Sequence, residues 1–108
     1  MKETISTPNA PAAAGPYSQA VKVNDLLFCS GQIALDPSSG TLTGDNITTQ
    51  TEQVMQNISA VLAASEATFD DVVKTTCFLA DINDFADFNA VYAKYFTSRP
   101  AQRCSGGS

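Results

Sequence analysis

The chain has 108 residues, of which 44% are hydrophobic and 16% are charged, so it suits one folded domain rather than a disordered segment. Its net charge is −5 with only six Lys and Arg, which argues against a partner with a phosphate backbone and therefore against nucleic acid. The absence of histidine excludes His-based triads and most zinc sites. Three cysteines without a C-x-x-C spacing indicate neither a disulfide framework nor a metal cluster.

The start of the chain lacks an apolar leader, and no run of apolar residues approaches the ~18 needed to cross a bilayer. These features predict a soluble protein in the cytoplasm, without a membrane partner.

The first half of the chain predicts an irregular arm followed by strands. Residues 8–16 are rich in Pro and Ala and are expected to be irregular. Residues 17–23 have a strand pattern, and Asn24 and Asp25 form a hairpin-type turn. The apolar run 26–30 is consistent with a strand buried on both faces. Turn-forming residues then predict a loop or an edge hairpin up to Asn46.

Two helices and a further strand are predicted in the second half. Thr49 and Glu52 have the spacing of a capping box, and behind them an apolar stripe predicts a helix to about Ser65. The stripe consists of Val54, Ile58, Val61 and Leu62. Residues 72–80 predict a strand. Residues 81–84 offer caps for a second helix, which ends before Pro100. Its inward face consists of Phe85, Phe88, Tyr92 and Phe96.

This order of elements predicts an α+β sandwich in which two helices cover one face of a sheet. The opposite face is then bare unless another copy covers it, which predicts an oligomer. The last residues, 104–108, are predicted to be a flexible tail.

Several short motifs, taken together and in register, resemble the RidA (YjgF-type) family of enamine/imine deaminases. They are Gly15-Pro16-Tyr17-Ser18, Ser30-Gly31-Gln32-Ile33, Val73-Lys74-Thr75-Thr76, Asp81-Ile82-Asn83-Asp84-Phe85, Asn89 and Tyr92. The resemblance covers essentially residues 1–101. It implies a single RidA-like domain over residues 1–103, with the chorismate-mutase-like fold and its mixed sheet.

The resemblance also implies an activity and an assembly. Members of the family hydrolyse 2-imino and 2-enamino acids, such as 2-aminoacrylate, to 2-keto acids and ammonia without a cofactor or metal. The resemblance implies a homotrimer whose small-molecule sites lie between neighbouring subunits.

The carboxyl-terminal residues depart from the family pattern, which reads Pro-Ala-Arg-Ser-Cys and continues through two strands, the second carrying a Glu. Here Gln102 stands where the family has Arg, Arg103 follows one residue late, and Cys104 keeps its place. The final strands are expected to be missing, by truncation or an altered frame, and activity to be impaired. The alternative is a catalytically inactive homologue that binds ligands or partners.

The candidate site residues follow from the resemblance, and each has an ordinary structural alternative. Tyr17 and Arg103 are the candidate catalytic residues; as alternatives, Tyr17 is a strand aromatic and Arg103 a solvated tail residue. Arginine suits a substrate carboxylate because its fork donates two hydrogen bonds. The candidate substrate-binding residues are Ser30, Gly31, Asn89 and Cys104. Asn89 is equally compatible with a structural hydrogen-bonding role.

Overall fold

In the computed structural model, which describes residues 2–97 and the backbone of residues 102–107, three strands form an antiparallel sheet. They are β1 (Lys2–Ile5), β2 (Ala20–Val23) and β3 (Leu26–Cys29), in that order across the sheet. Val23 pairs with Leu26 across a two-residue turn in which Asn24 has a φ of 53°, so the predicted hairpin is confirmed. The sequence did not predict β1, because the charged side chains in this four-residue strand conceal the pattern.

The first helix, α1 (Ile47–Ala64), ends where the sequence predicts, but it begins earlier. Asn46 is the N-cap, and its side-chain oxygen accepts a hydrogen bond from the Thr49 N–H at 2.8 Å. The predicted Thr49 capping box is therefore wrong. The amide of Asn46 already caps the helix, so Thr49 and Glu52 lie inside its first turns.

The remaining strands form a second, parallel sheet. Its strands are β4 (Lys74–Leu79) and β5 (Gln102–Gly107). The α+β class is confirmed, with the strands in two sheets rather than one mixed sheet. The predicted flexible tail is wrong for residues 104–107, which belong to β5. Pairing in a ladder uses backbone groups, which Ser and Gly possess like any other residue, and β4 offers an edge that pairs with them.

The main core lies between β4 and the helices α1 and α2 (Phe85–Tyr92). Its buried members are Met55, Leu79, Phe88, Tyr92 and Phe96. The rings of Tyr92 and Phe96 stack with centroids 4.6 Å apart, and the hydroxyls of Thr75 and Tyr92 are 2.7 Å apart. The predicted inward face is therefore confirmed for Phe88 and Tyr92, with Phe85 partly buried against the same cluster. The predicted extent of the helix is wrong, because α2 ends at Tyr92 and Phe96 packs on the cluster from the segment that follows it.

A smaller core fixes the amino-terminal residues to α1. Ile5 of β1, Ala20 of β2 and Val61 of α1 are buried together with Ala10 of the irregular arm. The arm, residues 8–16, therefore packs on the domain at Ala10 while most of its other residues stay at the surface.

The sheet faces turned away from the helices expose large apolar side chains. Leu26 and Phe28 of β3 are 59% and 60% exposed, and Phe78 of β4 is 82% exposed. The prediction that β3 is buried on both faces is therefore wrong for the single chain. An apolar run indicates side chains that are buried, whether by the same chain or by another. Within one chain, none of the described residues covers the outer side of β3.

One exposed polar cluster joins α1 to the segment after α2, and it predicts how the stability of the protein depends on pH. The Glu52 carboxylate accepts hydrogen bonds from Lys94 Nζ at 2.6 Å and from the Tyr95 hydroxyl at 2.8 Å. These two hydrogen bonds lower the pKa of Glu52 below its ordinary value. Stability from this group is present above the unfolded pKa of about 4.3 and is lost as the pH falls through the lowered folded value.

We therefore expect Glu52→Gln to reduce the melting temperature near neutral pH and to flatten its fall in acid. Thermal unfolding followed by circular dichroism between pH 2 and 7 measures both effects. Glu3→Gln, at an exposed position of β1, is the matched control. An acid dependence in Glu52→Gln as steep as in the unmodified chain would contradict the role given to this carboxylate.

Candidate functional site

Tyr17 stands at the end of the arm, on a tight turn. Its N–H donates a hydrogen bond to the Gly15 carbonyl at 2.8 Å, and its hydroxyl accepts one from the Ala14 N–H at 3.3 Å. The side chain is 56% exposed. The turn thus holds the ring at the surface, and the hydroxyl keeps its own proton to donate to a ligand or a water.

Two clefts share the Tyr17 ring. The smaller, of ≈ 250 Å³, lies between the arm and residues 31–35. Its lining consists of Pro11, Ala12, Ala14, Tyr17, Gln19, Gly31, Gln32, Ile33 and Leu35. The larger, of ≈ 550 Å³, lies on the other side of the arm. Within the described part of the chain, neither lining includes a charged side chain, so one chain offers each cleft hydroxyl, amide and apolar groups only.

Ser30 and Gly31 follow β3, and of the two only Gly31 lines the smaller cleft. The Ser30 hydroxyl donates to the Ser18 carbonyl at 2.5 Å, and the Ser30 N–H donates to the Gln19 carbonyl at 3.0 Å. Ser30 therefore joins the end of β3 to the segment before β2. Gly31 lines the cleft, and a Cβ at this position meets no atom within 4 Å. Its backbone is open to a ligand.

A buried amide that the sequence reasoning missed holds the arm in place. Gln19 is 5% exposed, and its Nε2 donates to three carbonyls, of Thr7 at 3.0 Å, Ala10 at 3.2 Å and Pro11 at 2.8 Å. Its Oε1 accepts from the Thr7 N–H at 2.6 Å. Buried amides need such partners, so these contacts fix the arm as one wall of the cleft.

A second missed amide holds the opposite wall. Asn57 of α1 is 1% exposed, and its Nδ2 donates to the carbonyls of Ile33 at 3.1 Å and Leu35 at 3.0 Å. Its Oδ1 accepts from Gln53 Nε2 at 2.9 Å. The signal was present in the sequence, because Asn57 lies one turn before Val61 on the apolar stripe, where a polar side chain needs a specific partner.

The other predicted site residues are not brought to this cleft by the described contacts. Asn89 is half-buried on α2 and lines neither cleft. Arg103 and Cys104 belong to β5, where their backbones pair with Thr75 and Thr76 of β4; their side chains lie outside the described residues. Within the described part of the chain, Tyr17 and Gly31 are therefore the predicted site residues that line the smaller cleft, while Ser30 binds the Ser18 and Gln19 carbonyls behind it.

The described residues outside the clefts offer no metal or redox centre. No group of three or more His, Cys, Asp or Glu among them is placed to hold a metal ion. Cys29 is a free thiol, and desolvation raises the pKa of this thiol, which keeps it protonated near neutral pH. None of the described helices has the length and apolar character to cross a membrane.

Relatives in known proteomes are similar over nearly the whole chain. A RutC family protein from Pyrococcus horikoshii is 50% identical over 103 residues, covering 94% of this chain and 82% of the relative. Reactive Intermediate Deaminase A of the Arabidopsis thaliana chloroplast is 52% identical over 95 residues, covering 88% of this chain and 51% of that protein.

Solved structures agree with the fold. YyfA of the Rid protein family from Yersinia pestis superposes with a TM-score of 0.96 at 43% identity, covering 100% of this chain and 86% of that one. Escherichia coli TdcF, solved with bound serine, gives 0.93 at 33% identity, covering 98% and 85%. The family model described as endoribonuclease L-PSP matches residues 7–107. The resemblance to RidA is confirmed, and the chain belongs to the endoribonuclease L-PSP family, which includes the Rid proteins and Reactive Intermediate Deaminase A.

Proposed function

We propose that this protein hydrolyses 2-imino and 2-enamino acids such as 2-aminoacrylate to 2-keto acids and ammonia, in the cleft bordered by Tyr17 and Gly31. The observation that carries the proposal is this small, mostly apolar cleft of ≈ 250 Å³ in a chain 52% identical to Reactive Intermediate Deaminase A. Such a cleft orients a small ligand through a few polar groups.

The reaction needs a positioned water rather than a cofactor. An enamine first becomes the imine by moving a proton from its nitrogen to C3. Water then adds to the carbon of the C=N bond, and one of its protons moves to the nitrogen. When the C–N bond of the resulting carbinolamine breaks, its electron pair leaves with the nitrogen, which takes the hydroxyl proton to become ammonia, and the oxygen becomes the keto oxygen. We assign Tyr17 the role of donor to this water or to the nitrogen, since its hydroxyl retains a proton beside the cleft.

The substrate carboxylate is best held by a charged donor, which the described lining of one cleft does not supply. We propose that Asn89, Arg103 and Cys104 contribute from a neighbouring subunit. The serine bound to TdcF is an amino acid of the same small class.

We propose that the assembly is a homotrimer in which the open sheet faces are buried. Leu26, Phe28 and Phe78 are all at least 59% exposed in the single chain. Burying such side chains contributes about 25 cal/mol of free energy per Å² of apolar surface. In light scattering across a dilution series we expect trimers that dissociate at low concentration. Phe78→Ser should shift this dissociation to higher concentration, whereas Leu42→Ser, at an exposed apolar residue of the loop before α1, should not. A monomer at every concentration would contradict this assembly.

The experiment that tests the function generates 2-aminoacrylate from serine with a dehydratase and follows pyruvate and ammonia. We expect the chain to release both in equal amounts and faster than the spontaneous reaction. A rate equal to that without the chain would contradict the proposal and favour the inactive, ligand-binding alternative.

The family description raises endoribonuclease activity as a second candidate. RNA cleavage by this chain would have to proceed with six basic residues, no histidine and a net charge of −5, features that disfavour contact with a phosphate backbone. Incubation of the same preparation with labelled RNA is therefore expected to leave the RNA intact.

A further inference from the structure

The two walls of the smaller cleft are held in the same way, each by one buried amide. Gln19 binds the arm through four hydrogen bonds, to Thr7, Ala10 and Pro11. Asn57 binds the opposite wall through the carbonyls of Ile33 and Leu35. Tyr17 and Gly31 lie between these walls, so the separation that a ligand meets depends on both anchors.

We propose that Gln19 and Asn57 are positioning residues that together set the width of the Tyr17–Gly31 cleft and so decide which small 2-imino acids it accepts. The proposal rests on the proposed function for its substrate, but the anchoring itself is measurable without turnover.

The physical basis is that both walls present backbone carbonyls, which need hydrogen-bond donors. The arm and residues 33–35 lie outside the regular sheets, and several of their carbonyls are bound by the two amide nitrogens alone among the described side chains. The Ile33 carbonyl also accepts from the Leu35 N–H at 2.8 Å. Removing the amide donors nevertheless takes the side-chain partner from the part-buried carbonyls of Leu35, Thr7 and Pro11, and the wall relaxes toward water. A displacement of about 1 Å beside a reacting group costs on the order of 10²-fold in rate.

A single-atom exchange tests each anchor with little change in shape. Asn57→Asp and Gln19→Glu replace the donating nitrogen by an oxygen, which repels the carbonyls when ionised but donates one hydrogen bond when protonated. Burial next to carbonyls raises the pKa of such a carboxyl above its ordinary value. We expect KM near the unmodified value at pH 5 and about tenfold or more higher at pH 8, on the order of what misplaced groups cost, with kcat less affected.

Two controls separate positioning from stability and from charge. Gln56→Glu adds the same charge at the neighbouring, exposed position of α1, and its KM should follow the pH profile of the unmodified chain. Met55→Ala removes a buried side chain of the main core on the same helix, so it should lower the melting temperature while leaving KM unchanged in the folded protein.

Two measurements test the positioning role without turnover: hydrogen exchange and the affinity for pyruvate. Hydrogen exchange of the Thr43 N–H, which binds the Ala34 carbonyl between the two residues that Asn57 holds, should quicken in Asn57→Asp at pH 8 beyond any change in Met55→Ala. Affinity for pyruvate, titrated by NMR, should fall in parallel. If the unmodified chain binds pyruvate but hydrolyses no imine, the proposed reaction fails and the positioning role stands. Unchanged exchange, KM and pyruvate affinity in the folded variants at pH 8 would overturn the inference.

Discussion

Replacing Phe88 by alanine is expected to lower the free energy of unfolding by about 3–5 kcal/mol, the usual effect of truncating a buried Phe. Phe88 is 8% exposed and belongs to the main core together with Met55 of α1 and Leu79 of β4. Its ring also contacts Tyr92, with centroids 5.6 Å apart. Because small domains are stable by only about 5–15 kcal/mol, urea unfolding should show a large loss of stability.

Phe78→Ala is the matched control, because it removes the same kind of side chain from an exposed position of β4 outside the core. Phe78 is 82% exposed, so its truncation should affect the protein only through assembly. We expect the stability of Phe78→Ala to approach that of the unmodified chain at protein concentrations where both are monomeric. Equal losses in the two variants under those conditions would contradict the placement of the core between β4 and the helices.

Replacing Tyr17 by alanine is expected to reduce kcat/KM for imine hydrolysis by about 10²-fold. The ring is shared by both clefts, and its hydroxyl lies beside the proposed reacting atoms, where a proton donor commonly contributes ~10²–10⁴-fold. Stability should change little, since the side chain is 56% exposed. Steady-state kinetics with enzymatically generated 2-aminoacrylate measures the effect.

Tyr17→Phe and Tyr95→Phe separate the hydroxyl of Tyr17 from tyrosine hydroxyls in general. Tyr17→Phe keeps the cleft wall and should lose most of the rate through kcat. Tyr95→Phe removes a hydroxyl that binds Glu52 away from the clefts and should retain the unmodified kcat/KM. Full activity in Tyr17→Phe would show that the ring, and not its hydroxyl, is what the reaction uses.

The sequence predicted best where the elements depend on local periodicity. The helices followed the spacing of Val61 and Leu62 in α1 and of Phe88 and Tyr92 in α2, whose buried faces lie on one side of each helix. The start of α1 was less predictable because Asn46 and Thr49 are both good caps. Which one is used depends on where the preceding loop leaves the chain.

The strands were harder to predict because pairing decides them. β1 is short and charged, and β5 contains Ser and Gly, yet each lies against a neighbour whose backbone groups complete its ladder. The apolar run of β3 indicated burial, and Phe28 is exposed in the single chain. An apolar run indicates that a surface is buried, but it does not indicate whether the same chain or a second molecule buries it.

The site was predictable only in part, since the motifs pointed to Tyr17, Ser30 and Gly31 but not to the amides that position the walls around them. Gln19 and Asn57 act through backbone carbonyls 8 to 24 residues away in sequence. A side chain that binds backbone carries no motif of its own. The clearest trace that such a residue leaves is a polar side chain at a position where the helix or strand pattern calls for an apolar one.

The measurement that tests the central claim most directly is an NMR titration of the unmodified, isotope-labelled chain with pyruvate, the keto acid released from 2-aminoacrylate. The claim is that small 2-substituted acids bind in the cleft bordered by Tyr17 and Gly31. We predict saturable shifts of the amide signals of Tyr17, Gly31 and Gln32, while those of the exposed Glu52–Lys94 cluster stay unchanged. Saturable shifts that leave Tyr17 and Gly31 unmoved, or no shifts at all, would contradict it.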